Sequence, residues 1–127
     1  MGERPSKNLL DDVTTSETVC ARVFHSFFPH LFRYAGGNRW EFWDAQKKTW
    51  NPDHGTREIK SCLRTNFTAL LMQRAKVWQD YVQELGSNDH DVGFLIVTLM
   101  DLARKLQNQD YVRAVLKEAA EWYNYES

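Results

Sequence analysis

The stretch Trp40-Glu41-Phe42-Trp43, followed by Thr49-Trp50, decides how this chain of 127 residues folds. Side chains alternate across a strand, so Trp40 and Phe42 share one face and Trp43 takes the other. Upstream, Phe32 and Tyr34 alternate in the same way, and Gly36-Gly37-Asn38 between the two runs is a turn signal. Residues 48–50 can supply a third short strand, entered through the polar turn 45–47, before Asn51-Pro52-Asp53 breaks the pattern, so the unit has two or three strands. These runs predict a small antiparallel β-meander over about residues 31–51. Such a unit is marginal alone and must bury its aromatic face against helices.

Helical patterns lie on both sides. Thr14-Thr15-Ser16-Glu17 reads as a capping box with Thr14 as the N-cap. Cys20, Val23, Phe24, Phe27 and Leu31 then fall on one helical face, and Pro29 ends or kinks the helix near Phe28. Thr56 is the expected N-cap of a long helix carrying Ile59, Cys62, Leu63, Leu70, Leu71, Val77, Trp78, Tyr81, Val82 and Leu85, with Gly86 as its stop. Ser87-Asn88-Asp89 caps the next helix, which carries Val92, Leu95, Ile96, Leu99, Leu102, Ala103 and Leu106. Residues 107–109 make a short break before a last helix with Tyr111, Val112, Val115, Leu116, Ala119 and Tyr123. The expected fold is mainly α (α+β), a four-helix domain with a small antiparallel β-meander after the first helix. Residues 1–13 are expected to be a flexible lead-in and residues 14–127 a single helical domain. The expected core is Phe24, Phe27, Trp40, Phe42, Ile59, Leu63, Leu70, Trp78, Leu95, Leu99, Leu102, Val115 and Leu116.

Composition bounds the function. A hydrophobic content of 43% is enough for a packed core and excludes wholesale disorder. A net charge of -1 lacks the strongly basic balance of a dedicated nucleic-acid binder and leaves only local patches for that role. Cys20 and Cys62 lie among apolar neighbours, which predicts two buried free thiols and a reducing compartment, with a disulfide between them as the alternative. Residues 1–12 hold no signal-peptide apolar segment, and the apolar run 92–100 is too short to span a bilayer. The expectation is an intracellular protein with no membrane partner.

No phosphate-binding loop, dinucleotide fingerprint, nucleophile elbow or zinc-ligand spacing occurs in the chain. No catalytic residue, metal ligand or cofactor is therefore expected. His25 and His30 are five residues apart and share a helical face poorly, while His54 and His90 sit near helix starts. Asp89-His90-Asp91 can be read as a metal or acid–base cluster, or as a solvated N-cap whose acidic groups suit the helix dipole; the second reading is the ordinary pattern. Trp40, Trp43 and Trp50 can stack on unpaired bases beside Arg39, Lys47 and Lys48, or form the core of the meander. Alternation makes Trp43 the one suited to an exposed contact. Arg104, Lys105, Arg113 and Lys117 cluster around the turn of the last helix pair, where a helix–turn–helix module places phosphate contacts. Arg57, Lys60 and Arg64 form a second basic stripe at i, i+3 and i+7. Either set can equally be a solvated face of mixed charge, with Asp110, Glu118 and Glu121 diluting the first.

The order of these elements resembles a domain of viral primase–helicases. The run Asn38-Arg39-Trp40-Glu41-Phe42-Trp43, then Thr49-Trp50 and a long helix from Thr56, is similar to the region ahead of the helicase in the poxvirus- and phage-type family. Residues 102–106 followed by 111–123 resemble that region's closing segment, and the likeness covers about residues 18–125. It implies a non-catalytic accessory domain of a DNA-replication protein, with DNA and other replication or virion proteins as partners. Arg104, Lys105, Arg113, Lys117, Arg57, Lys60, Arg64 and Trp43 are the candidate nucleic-acid contacts. It implies a place in the host cytoplasm or nucleus during viral replication, or in the virion. The chain departs from the family in carrying no ATP-binding loop and no acidic primase triad. Neither ATPase nor primer synthesis carries over, and the family's hexameric rings do not follow. The expectation is a piece of a longer replication protein or a free-standing relative. The alternative is a structural or virion interaction protein that reuses the fold without binding nucleic acid.

Overall fold

A computed structural model describes residues 3–85 and 89–124. The chain forms helix α1 (Glu17–Phe27), strands β1 (Phe32–Tyr34), β2 (Trp40–Asp44) and β3 (Thr49–Pro52), and then three further helices. The long helix α2 runs over residues 57–85 as an α-helical start Arg57–Ser61, a π-helical turn Cys62–Phe67 and a second α-helical part Thr68–Leu85. Helices α3 (His90–Lys105) and α4 (Gln109–Trp122) follow. The fold is thus mainly α, with four helices and a three-stranded antiparallel sheet after the first. No helix among the described residues is long and apolar enough to cross a membrane.

The expected antiparallel meander forms, with three strands. Phe32 faces Phe42 and Tyr34 faces Trp40 in the β1–β2 pair, and Trp43 faces Trp50 in the β2–β3 pair. Its first turn passes through Gly36, Gly37 and Asn38, all with positive φ, a conformation glycine and asparagine tolerate best. The second turn is held by Asp44, whose Oδ1 accepts bonds from Gln46 N and Lys47 N at 3.0 and 3.1 Å. Strand β3 continues through Asn51 and Pro52, where the sequence predicted a break. It is an edge strand, and Asp53 N donates to Trp40 O at 2.8 Å, so alternation points the Pro52 nitrogen away from β2. The missing N–H therefore costs no ladder bond.

Helix starts differ from expectation in instructive ways. The N-cap of α1 is Ser16, whose Oγ accepts from Val19 N at 3.4 Å; Thr14 Oγ1 instead accepts from Ser16 N. Glu17 becomes the first helical residue, so no capping box forms there. Helix α1 also stops before Leu31, which is exposed rather than on the buried face. Thr56 holds the N-cap position of α2 but makes no side-chain cap bond and adopts a left-handed backbone. Asp53 does the capping: its carboxylate accepts Glu58 N at 2.8 Å and Ile59 N at 3.0 Å. Asp89 caps α3 by accepting Asp91 N and Val92 N, the N-cap reading of that acidic triplet. The expected stop at Gly86 and the capping by Ser87 and Asn88 lie outside the described residues.

The π turn explains the spacing along α2. Ile59, Leu63, Phe67, Leu71 and Ala75 are all buried and recur every fourth residue. A plain α-helix would rotate each by about 40° from the last, carrying the series off the core. One wider turn resets the phase. Its displaced carbonyls find partners: Thr68 Oγ1 donates to Leu63 O at 3.1 Å, and Gln107 Nε2 donates to Arg64 O at 3.1 Å. Past the turn, Val77 and Leu85 are exposed, contrary to the uninterrupted helical spacing.

Helix α2 packs on α3 and α1 on α4. All thirteen expected core residues take part; Phe27, Phe42, Leu70 and Leu95 are half-buried against the others. Tyr123 joins the layers. Its ring lies 5.6 Å from Trp40 and 6.2 Å from both Phe24 and Phe32, and its hydroxyl donates to Phe28 O at 2.8 Å. Its carbonyl accepts Tyr34 N at 2.9 Å, and Asn124 forms a parallel bridge with Tyr34, covering the outer edge of β1.

The lead-in, expected to be flexible, is docked over its described part. Residues Leu9–Asp12 form a 3-10 turn with a true capping box from Asn8 and Asp11, and Leu10 and Val13 are buried. Asp11 binds Arg74 (Nε at 2.9 Å to Oδ1, a terminal nitrogen at 2.7 Å to Oδ2) and accepts Trp78 Nε1 at 2.9 Å. Mixed charge in the sequence hid the fact that one carboxylate has its partners on α2.

Candidate nucleic-acid interface

The two basic stripes do not act as two units. Lys60 from α2 comes together with Arg113 and Lys117 from α4 along one cleft of about 750 Å³. Tyr34, Trp40, Asp53 and Asp110 complete its walls. Lys60 is half-buried, while Arg113 and Lys117 stand exposed on the outer face of α4, whose inner face buries Val112, Val115, Leu116 and Ala119. Neither carboxylate cancels the cations fully. Both oxygens of Asp53 are engaged by the α2 cap, and Asp110 reaches Arg113 at 3.4 Å, a weak contact at the surface. Asp53 already occupies the amide end of α2, so the positive groups open on the cleft are the side-chain cations. Thr56, a β-branched residue held at φ 55°, lies on the rim. Such strain concentrates where geometry is over-determined.

The other predicted cations go elsewhere. Arg104 pairs with Asp101 and lines a separate, apolar groove. Lys105 lies 5.8 Å over the Tyr111 ring. Arg57 is exposed and outside the cleft, and Arg64 is half-buried, its Nε enclosed without a hydrogen-bond partner among the described residues.

The outward face of the sheet forms a second feature. Trp43 is 36% exposed and packs edge-on against Trp50, ring centroids 5.5 Å apart. Arg33 stacks 4.5 Å over Trp50 and binds Glu41 at 2.6 Å. The sequence offered Trp43 and Trp50 as stacking residues and favoured Trp43, but it missed Arg33, which only the strand register brings beside them. Tyr34 and Asp53 were also missed, because their place on the cleft depends on how α2 and α4 meet the sheet.

Burial pushes the thiols of Cys20 and Cys62 up to about 12, and both are free. Burial, with His30 nearby, lowers the pKa of His25, whose ring sits edge-on to Tyr123 at 4.7 Å. Among the described residues no group of three His, Cys, Asp or Glu side chains is placed to hold a metal ion. Compared with protein-family models, curated proteins and solved structures, the chain gives no match.

Proposed function

We propose that the chain is a non-catalytic accessory domain of a viral or phage DNA-replication primase–helicase, and that it binds the phosphate backbone of nucleic acid along the cleft of Lys60, Arg113 and Lys117. The observation that carries the reading is the convergence of three cations from two helices, distant in sequence, on one groove. The resemblance over residues 18–125 supplies the replication context. The partly exposed Trp43–Trp50 pair, on the opposite face of the sheet from the cleft, offers a separate stacking surface for unpaired bases.

Binding to labelled single- and double-stranded DNA at low and moderate salt tests this. Three phosphate contacts give a log–log salt slope of about −2 for single strands. Reversal of Lys60, Arg113 and Lys117 to Glu should abolish the slope, whereas reversal of Arg104, on the other groove, should leave it nearly unchanged. No binding at low salt, or binding indifferent to the triple reversal, would sink the proposal. The second reading, a structural or virion interaction protein, draws on the exposed apolar residues Phe94, Val97 and Met100 of α3. Association through such a face would vary little with salt.

A further inference from the structure

Helix α3 carries an apolar stripe that none of the described residues covers. Phe94 is 74% exposed, Val97 64% and Met100 41%, and Met72 of α2 flanks them at 44%. Three residues of this kind at i, i+3 and i+6 on one helix are unusual for a surface that faces only water. The stripe is uneven. Phe94 projects at its start, whereas toward the other end Met72, Val97, Met100 and Ala103 line an open groove of about 670 Å³ that is almost wholly apolar. Gly93 lies beside Phe94, and a methyl group built on it would meet no atom within 4 Å. An exposed glycine inside a helix costs about 1 kcal/mol against alanine and leaves room for a close approach.

Charge is arranged end to end along the same helix. Asp89 and Asp91 stand at its start beside Arg4, and Arg104 and Lys105 at its end beside Asp101, so two charges less one leave the start net acidic and the end net basic. Turning a second copy by 180° about an axis through Val97 pairs position 94 with position 100, so each Phe94 meets the other copy's groove. The same rotation brings each acidic start beside the other copy's basic end and sets the helix dipoles antiparallel. Knob, groove and charge are thus all self-complementary under one operation, the requirement for an isologous contact.

We propose that the α3 face joins two copies of this chain in an antiparallel, two-fold dimer centred on Val97. The interface is small, so the dimer should be of micromolar rather than nanomolar strength.

Sedimentation velocity on the full chain from about 1 to about 500 µM, the range in which small interfaces exchange, should show a monomer–dimer equilibrium. Phe94→Glu should leave the chain monomeric throughout with its melting temperature unchanged, since Phe94 contributes little to the core. A Val97→Cys variant supplies an independent measurement. On the axis it meets its own copy and should cross-link rapidly on mild oxidation, while Cys20 and Cys62 stay buried and unreactive. Glu121→Cys, exposed on α4, is the control. A monomer at every concentration, or cross-linking of Val97→Cys no faster than the control, would overturn the dimer. An apolar partner of a different kind is what those outcomes would leave.

Discussion

Asp11→Ala should destabilise the fold far more than a change in a lead-in segment ordinarily does. The Asp11 and Arg74 side chains are 8% and 11% exposed, and the carboxylate takes two bonds from Arg74, one from Trp78 Nε1 and one from Asn8 N. Removing one partner of a buried pair leaves an uncompensated charge and costs about 3–5 kcal/mol. For a chain of this size each kcal/mol moves the midpoint by about 3–5 °C, so Tm should fall by about 10–20 °C. Thermal unfolding followed by circular dichroism reads the shift. A cycle with Arg74→Met completes the test, because the double variant removes both charges and should cost clearly less than the sum of the singles. The pH dependence gives a second reading. Burial alone would raise the Asp11 pKa, but the bonds from Arg74, Trp78 and Asn8 outweigh it and hold it below its ordinary value of 3.8. A depressed carboxylate contributes stability above that value and loses it as pH falls through the lower, folded one. The acid limb of the stability profile should therefore flatten in Asp11→Ala. A fall of less than about 3 °C, or strict additivity in the cycle, would refute the claim that this segment belongs to the fold.

Trp40→Ala should cost about 3–5 kcal/mol in urea unfolding, since it empties the space between Tyr34 and Tyr123. Trp43→Ala should cost no more than about 1.5 kcal/mol, the worth of its edge-on pair with Trp50, and an equal loss at both positions would contradict the assigned faces of the sheet. A thiol reagent should leave Cys20 and Cys62 untouched in the native state and modify both after denaturation. Their raised pKa keeps them neutral, so stability should begin to fall above pH 9.0, the ordinary thiol value, and continue to fall towards about 12. Gln107→Ala removes the donor to Arg64 O and should loosen the π turn, read as faster hydrogen exchange around residues 64–68 with little change in global stability.

The fold was legible where pattern and burial coincide. Alternation at Trp40, Phe42 and Trp43 gave the meander, and helical spacing gave four helices, because each element buries a single face. Three features stayed hidden, each for its own reason. Asp11 has its partners at positions 74 and 78, and Asp53 rather than Thr56 caps α2 because β3 delivers its carboxylate to the helix end. The π turn is visible only as a run of four-residue spacings that includes Phe67 and Ala75, which the sequence reading left out. The candidate site was half legible. Residue type identified Lys60, Arg113 and Lys117, but only packing separates them from Arg104 and Arg57, which carry the same charge and line other surfaces.

Tyr123 closes the molecule from its far end. Its hydroxyl reaches Phe28 across 95 positions, and Tyr111 bonds Thr15 O across 96. A chain emerging from the ribosome can form the α2–α3 hairpin early, because those helices are neighbours in sequence. It cannot seat α1 or shield the edge of β1 until the last helix has left the exit tunnel. Closing a loop of that length costs about 4 kcal/mol in chain entropy before any contact repays it. Synthesis should thus hold the aromatic sheet open until α4 has emerged, and truncation ahead of Tyr123 should leave a collapsed helical pair with no organised meander.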